Sequence, residues 1–105
     1  MDEKLERLFY EYLAKFRADL KVLEAAEDVR NRGTSAYTNK WYEKLRKMDK
    51  SVQPLIIKEL VENEDNYMLG LLIAMNPGFK LERRDTGRFK VIKEKILQYI
   101  SENNK

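Results

Sequence analysis

The chain has 105 residues, of which 43% are apolar and 37% charged, a balance typical of one folded helical domain. It contains no cysteine, which excludes disulfides, cysteine-ligated zinc and thiol catalysis, and no histidine, the most frequent general base and metal ligand. The net charge of +3 lacks the density of a nucleic-acid-binding arm, and together these features predict a protein that is not an enzyme and needs no cofactor or metal.

A long first helix is predicted over residues 1–33. Apolar residues recur at intervals of three or four from Leu5 to Ala26, and Gly33 is expected to end the helix. A helix of about 30 residues would be about 45 Å long, which is longer than a small bundle needs. Part of it therefore packs against the rest of the chain and the remainder projects, or two copies pair. We favour a homodimer that pairs two copies of the stripe formed by Leu5, Phe9, Tyr12 and Phe16.

The next segment combines aromatic and basic residues. Residues 34–39 predict a loop with several candidate N-caps (Thr34, Ser35, Thr38 and Asn39), followed by a short helix over residues 40–48. Trp41 is in phase with Leu45 and Met48, so we expect it to pack in the core. Tyr37 and Tyr42 are the candidate binding residues, because aromatic side chains beside lysines can stack on nucleobases or anchor a protein partner.

Residues 51–78 predict two apolar helices that fold back on each other. The turn lies at residues 63–65, and Asn76-Pro77-Gly78 is expected to end the second helix. Ser51 is the expected cap of the first helix. The second helix, from about Asp65 to Met75, is apolar nearly all round, which is typical of a central helix. Six residues of this hairpin are expected to be almost fully buried: Leu55, Ile56, Leu60, Leu69, Leu72 and Ile73.

A final helix is predicted from Asp85 or Thr86 to residue 103, after a connector anchored by Phe79 and Leu81. Its apolar face is formed by Phe89, Ile92, Ile96, Tyr99 and Ile100. Residues 79–105 carry eight basic and four acidic side chains. The densest basic group either contacts phosphates or forms a solvated helix face, and it consists of Arg83, Arg84, Arg88, Lys90, Lys93 and Lys95. Its candidate binding residues are Arg83, Arg84, Arg88 and Lys90.

The hairpin resembles a known helical repeat. The pattern Val52-x-Pro54-Leu55-Ile56-Ile57-x-x-Leu60, followed by Leu69-x-Leu71-Leu72, resembles one HEAT-type repeat, and residues 41–100 are similar to small HEAT-like proteins. Only one such repeat is present, whereas a stable array needs about three. The resemblance implies a binding scaffold and no reaction.

Together these patterns predict an all-α fold, a compact bundle of about five helices with a HEAT-like hairpin at its centre. We expect a single domain, residues 1–105, with parts at 1–33, 40–75 and 85–103. The predicted function is a non-enzymatic protein-interaction or scaffold module. The alternative is a small nucleic-acid-binding or regulatory protein that uses the basic C-terminal surface. The chain shows no secretion signal and no apolar run that could span a bilayer, which favours the cytoplasm and no membrane partner.

Overall fold

The computed structural model describes residues 2–25, 39–85 and 87–103, with only the backbone described at 23–25. These residues contain two 3-10 turns, Lys50–Val52 and Arg83–Asp85, and no strand, so the predicted all-α class is confirmed. None of their helices is both long and apolar enough to cross a bilayer. The α-helices of the described residues are α1 (Glu3–Ala25), α2 (Lys40–Arg46), α3 (Gln53–Glu62), α4 (Tyr67–Met75) and α5 (Phe89–Asn103).

The contacts within the chain divide it into two compact units. Unit 1, Met1–Val52, contains α1, α2 and the first 3-10 turn, and unit 2, Gln53–Lys105, contains the other three helices. The single domain expected from the chain length stays a prediction. The predicted extension of the first helix over residues 26–32, and its end at Gly33, lie outside the described residues.

In unit 1, α1 packs against α2 and against the turn Lys50–Val52. The rings of Phe16 and Tyr42 lie 5.1 Å apart, which joins the two helices at their centre. Phe9 and Phe16, two of the residues expected to pair two copies, are fully buried. The homodimer stays a prediction. The buried apolar side chains of unit 1 are Phe9, Leu13, Phe16, Leu20, Tyr42, Leu45 and Val52.

Asn39 begins α2, as one of the predicted caps. Its side-chain oxygen accepts hydrogen bonds from the backbone N–H groups of Trp41, at 2.8 Å, and Tyr42, at 3.4 Å. Its side-chain nitrogen donates to Asp19 of α1 at 2.8 Å. Asn39 thus provides an acceptor for two backbone N–H groups in the first turn of α2, and it also joins this turn to α1.

The segment after α2 differs from the prediction. The helix ends at Arg46 and not at residue 48, and α3 begins at Gln53, so Ser51, its predicted cap, does not directly precede it. The carboxylate of Asp49 accepts a hydrogen bond from the Ser51 N–H at 2.8 Å. Asp49 is therefore the residue that caps a separate 3-10 turn, and Ser51 lies inside that turn.

In unit 2, α4 packs against both α3 and α5. It contains no charged residue, and its side chains Met68, Leu69, Leu71, Leu72 and Met75 are buried. The helix ends at Met75, as predicted. There the side-chain nitrogen of Asn76 donates to Gln53 at 2.8 Å and to the Leu72 carbonyl at 2.7 Å. The bond to Leu72 closes the end of α4, and the bond to Gln53 joins that end to the beginning of α3.

Five of the six core residues expected in the hairpin are buried, and Ile73 is the exception. Ile73 is half-buried, as are Tyr67 and Gly70, which precede it at intervals of three, and Ala74 is exposed. Residues three apart share one side of a helix. This side of α4 is therefore only partly covered, although the composition of α4 gives it no polar face.

The final helix begins at Phe89, later than the predicted start at Asp85 or Thr86, and Thr86 lies outside the described residues. Ile92, Ile96 and Ile100, at intervals of four, form its buried stripe. Phe89 is 50% exposed, so its predicted place on this stripe is wrong. Helical side chains lean toward the preceding turn, and the first residue of a helix has no preceding turn to pack on.

The two residues expected to anchor the connector differ in how deeply they are buried. Phe79 is half-buried, and its ring lies 5.5 Å from that of Tyr99 on α5. Leu81 is 42% exposed, so its role as an anchor is wrong.

Leu72→Ala is expected to lower the free energy of unfolding by about 2–5 kcal/mol, because Leu72 is fully buried in α4 and its removal leaves a cavity. Val61→Ala is the matched control: Val61 is 48% exposed on α3, and we expect a change within about 0.5 kcal/mol. Urea unfolding followed by circular dichroism measures both. A loss below about 1 kcal/mol for Leu72→Ala would show that α4 is not the centre of the unit 2 core.

Candidate functional site

The surface of unit 2 carries an open groove of about 340 Å3, named here the Phe89 groove. One wall is the first turn of α5, where Phe89 and Lys93 are four residues apart and so share one side of the helix. The other wall comes from the α3–α4 turn. The groove is lined by Glu64, Asn66, Phe89, Lys90 and Lys93.

The α3–α4 turn places Glu64 at the groove through an uncommon backbone conformation. Glu64 follows α3 and has φ 51°, the left-handed region that helix C-termini usually give to glycine or asparagine. The Asp65 carboxylate then accepts a hydrogen bond from the Tyr67 N–H at 3.1 Å, which begins α4. A glutamate at this left-handed position places a carboxylate where glycine would leave bare backbone.

The groove combines apolar surface with unpaired charge. Half of the Phe89 side chain is open to solvent beside it. Lys90, Lys93 and Glu64 have no ion-pair partner within 4 Å among the described residues. The site therefore offers an aromatic surface, two ammonium groups and one carboxylate to a ligand.

A partly buried ion pair positions the start of α5. Asp85, only 4% exposed, accepts a hydrogen bond from Lys95 Nζ at 2.6 Å, and its backbone carbonyl accepts one from the Arg88 N–H at 3.0 Å. The hydrogen bond from Lys95 holds the pKa of Asp85 below its ordinary value, against the opposing effect of burial. Lys95, predicted to belong to the basic group that contacts phosphates or forms a solvated face, is thus a structural partner of the turn Arg83–Asp85.

The predicted basic site residues are all exposed, but only one lines the groove. Lys90 is part of its wall. Arg83 and Arg84 lie in the 3-10 turn before α5, where Arg84 pairs with Glu82 at 2.5 Å, and Arg88 directly precedes α5. The four predicted basic residues are therefore on the surface, and Lys90 is the one among them that lines the Phe89 groove.

Neither of the two predicted aromatic site residues is seen at the surface of the described structure. Tyr42 is 3% exposed and packs on Phe16, so its assignment as an exposed binding residue is wrong. Trp41, expected in the core, is only half-buried. Both residues lie within one turn of the buried Leu45, and both rings lie near a ring of α1, Tyr42 near Phe16 and Trp41 near Tyr12. Tyr37 lies outside the described residues.

Sequence reasoning missed Phe89, Lys93, Glu64 and Asn66 as groove residues. Phe89 fits the apolar spacing of α5, which concealed its exposure, and the turn residues carry no recognisable motif. Only the run Arg88-Phe89-Lys90, an aromatic residue between two bases, pointed to this surface.

No protein-family model matches this chain, and comparisons with curated proteins and with solved structures likewise found no match. The resemblance to a HEAT-type repeat stays a prediction. Among the residues that the structure describes, no group of three or more acidic side chains is arranged to hold a metal ion.

The titration of Asp85 tests the ion pair that positions α5. Its folded pKa is lowered, so the pair stabilises the fold above the ordinary aspartate value of about 3.9, and this stability is lost as the pH falls through the lower folded value. Carboxyl-carbon NMR is expected to show an inflection for Asp85 below about 3.9. Lys95→Met is expected to raise it, because the buried carboxylate loses its donor, and Lys90→Met, the control, is expected to leave it unchanged. An unshifted Asp85 in the unsubstituted chain would contradict the ion pair.

Proposed function

We propose that this chain is a non-enzymatic protein-interaction module that binds an acidic, partly apolar segment of a protein partner in the Phe89 groove. The observation that carries the proposal is the half-exposed Phe89 ring in a groove that is also lined by two lysines, neither of which has an ion-pair partner in the described residues. An apolar side chain of the partner packs on Phe89, and its carboxylates meet Lys90 and Lys93.

The two parts of the site contribute differently to binding. Aromatic residues beside a concave surface are typical anchors, because covering them removes apolar area from water. The lysines add attraction that guides the encounter and selects acidic partners. Glu64 lies in the same groove, and we propose that it disfavours segments that place a carboxylate near the α3–α4 turn.

Features of the sequence support the same proposal. The chain has neither histidine nor cysteine, which supports a function without acid–base or thiol catalysis. The resemblance of residues 52–72 to a HEAT-type hairpin implies a binding scaffold. A cytoplasmic location belongs to this proposal as well.

A second candidate function is nucleic-acid binding through the basic segment before and at the start of α5. The exposure of Arg83, Arg84, Arg88 and Lys90 favours it. The carboxylates of Glu82, paired with Arg84, and of Glu64 reduce the positive charge of this surface. For that reason we place the protein partner first.

Selection of a random peptide library against the intact chain tests the proposal. Enriched peptides are expected to carry an aromatic or aliphatic residue flanked by Asp or Glu. Phe89→Ala is expected to weaken the selected peptide by about 2 kcal/mol, the loss typical of an interface anchor. Titration of fluorescent peptides gives the dissociation constants.

The matched controls lie on α3 of the same unit. Val61→Ala removes another exposed apolar side chain, and Lys58→Glu reverses another exposed lysine; both are expected to leave peptide binding unchanged. Lys90→Glu/Lys93→Glu is expected to abolish binding of the acidic peptide. The same variant is expected to bind a peptide in which lysines replace the acidic residues. Selection of no peptide, or binding that survives Phe89→Ala, would contradict the proposal.

A further inference from the structure

A second cluster of aromatic and basic side chains lies in unit 1, between α1 and α2. Its centre is the half-buried Trp41, whose ring lies 6.0 Å from that of Tyr12 at an interplanar angle of 31°. The ammonium nitrogens of Lys15, Lys40 and Lys44 lie 4.5, 5.0 and 5.3 Å from the centroid of the Trp41 ring. These five residues form the Trp41 cluster.

Helical spacing explains how the cluster forms. Lys40 and Lys44 are four residues apart on α2, and Trp41 lies beside them. Tyr12 and Lys15, three residues apart, face them from α1. Lys44 also lies 5.4 Å from the Tyr12 ring, so the lysines surround both aromatic rings.

Of the three lysines in the cluster, only Lys15 has an ion-pair partner among the described residues. Glu11 pairs with Lys15 at 3.2 Å, whereas no carboxylate of a described residue lies within 4 Å of Lys40 or Lys44. The nearest acid on α2, Glu43, is held by Arg46 and by Lys47, the latter at 3.8 Å. Cation–aromatic attraction holds three ammonium groups around one ring, and an anion placed among them would relieve their mutual repulsion.

We propose that the Trp41 cluster binds single-stranded nucleic acid. The exposed parts of Trp41 and Tyr12 supply a stacking surface for bases, and Lys15, Lys40 and Lys44 contact the phosphates on either side. Aromatic rings interleaved with cations are the common solution for single strands, since every base offers a flat face and every nucleotide a phosphate.

The arrangement favours single strands over other anions. A duplex keeps its bases stacked inside and could use the lysines but not the rings. An acidic protein segment could likewise meet the lysines, but carboxylates gain nothing from the stacking faces of the rings. This activity goes beyond the proposed function, because it uses different residues in a different unit.

The chain contains a single tryptophan, so its fluorescence reports on this site alone. Titration of the intact protein with a deoxythymidine oligonucleotide is expected to quench it, with affinity that falls as salt rises. Lys40→Ala/Lys44→Ala is expected to raise Kd about tenfold and to flatten the slope of log K against log salt by about 1.4, the value for two lost single-strand phosphate contacts.

Two controls separate this site from general charge. Lys4→Ala/Lys21→Ala removes the same charge from exposed positions of α1 and is expected to leave Kd within about twofold. Lys58→Ala/Lys80→Ala removes two exposed lysines of unit 2 that belong to neither proposed surface, and it is expected to leave the quenching unchanged. Circular dichroism verifies that each variant keeps its helices.

Three outcomes would overturn the proposal. Equal quenching by a duplex of the same length would exclude stacking on the rings. Equal quenching by poly-glutamate would assign the cluster to an acidic protein partner. No quenching by the oligonucleotide at low salt, together with unchanged anisotropy of a labelled oligonucleotide, would show that the cluster binds no single strand.

Discussion

The complete absence of charge from α4 is the constraint on which unit 2 depends. A nine-residue helix is too short to persist alone in water, so its stability comes from the surfaces that cover it. The hairpin with α3 covers one side, closed by the buried hydrogen bonds of Asn76, and the isoleucines of α5 cover another. The buried stripe of α5 begins at Ile92, whereas Phe89, one turn earlier, lies at the surface. The exposed ring of the Phe89 groove therefore results from the position at which α5 begins to pack on α4.

Both proposed surfaces share one composition, an incompletely buried aromatic ring accompanied by lysines, but their geometry differs. Around Trp41 the ammonium groups gather over the ring itself, which suits a ligand that alternates flat faces with negative charges. At Phe89 the ring borders a groove that also contains the carboxylate of Glu64, which suits a ligand with its own apolar side chain and a defined charge pattern. The chemistry of the two surfaces therefore predicts two classes of partner.

Local patterns in the sequence were sufficient for much of the fold. The apolar stripe of α1, the cap at Asn39 and the end of α4 at Asn76 follow from spacing and from residues with one strong preference. The choice between Trp41 and Tyr42 could not be made in this way, because they precede Leu45 by four and three residues and helical spacing accepts either. The contact of Tyr42 with Phe16 decides it, and that contact joins different helices. The pairing of Asp85 with Lys95 was hidden for a similar reason, since ten residues and a turn separate the partners.

The central claim is that two surfaces, one in each unit, bind ligands of different chemistry. The most direct test is a pair of NMR titrations of the isotopically labelled chain, one with a deoxythymidine oligonucleotide and one with a peptide selected on the Phe89 groove. The account predicts that the oligonucleotide shifts the indole N–H of Trp41 and the resonances of Tyr12 and Lys44, and that the peptide shifts those of Phe89 and Lys93. Shifts of the same residues by both ligands, or of neither set, would contradict it.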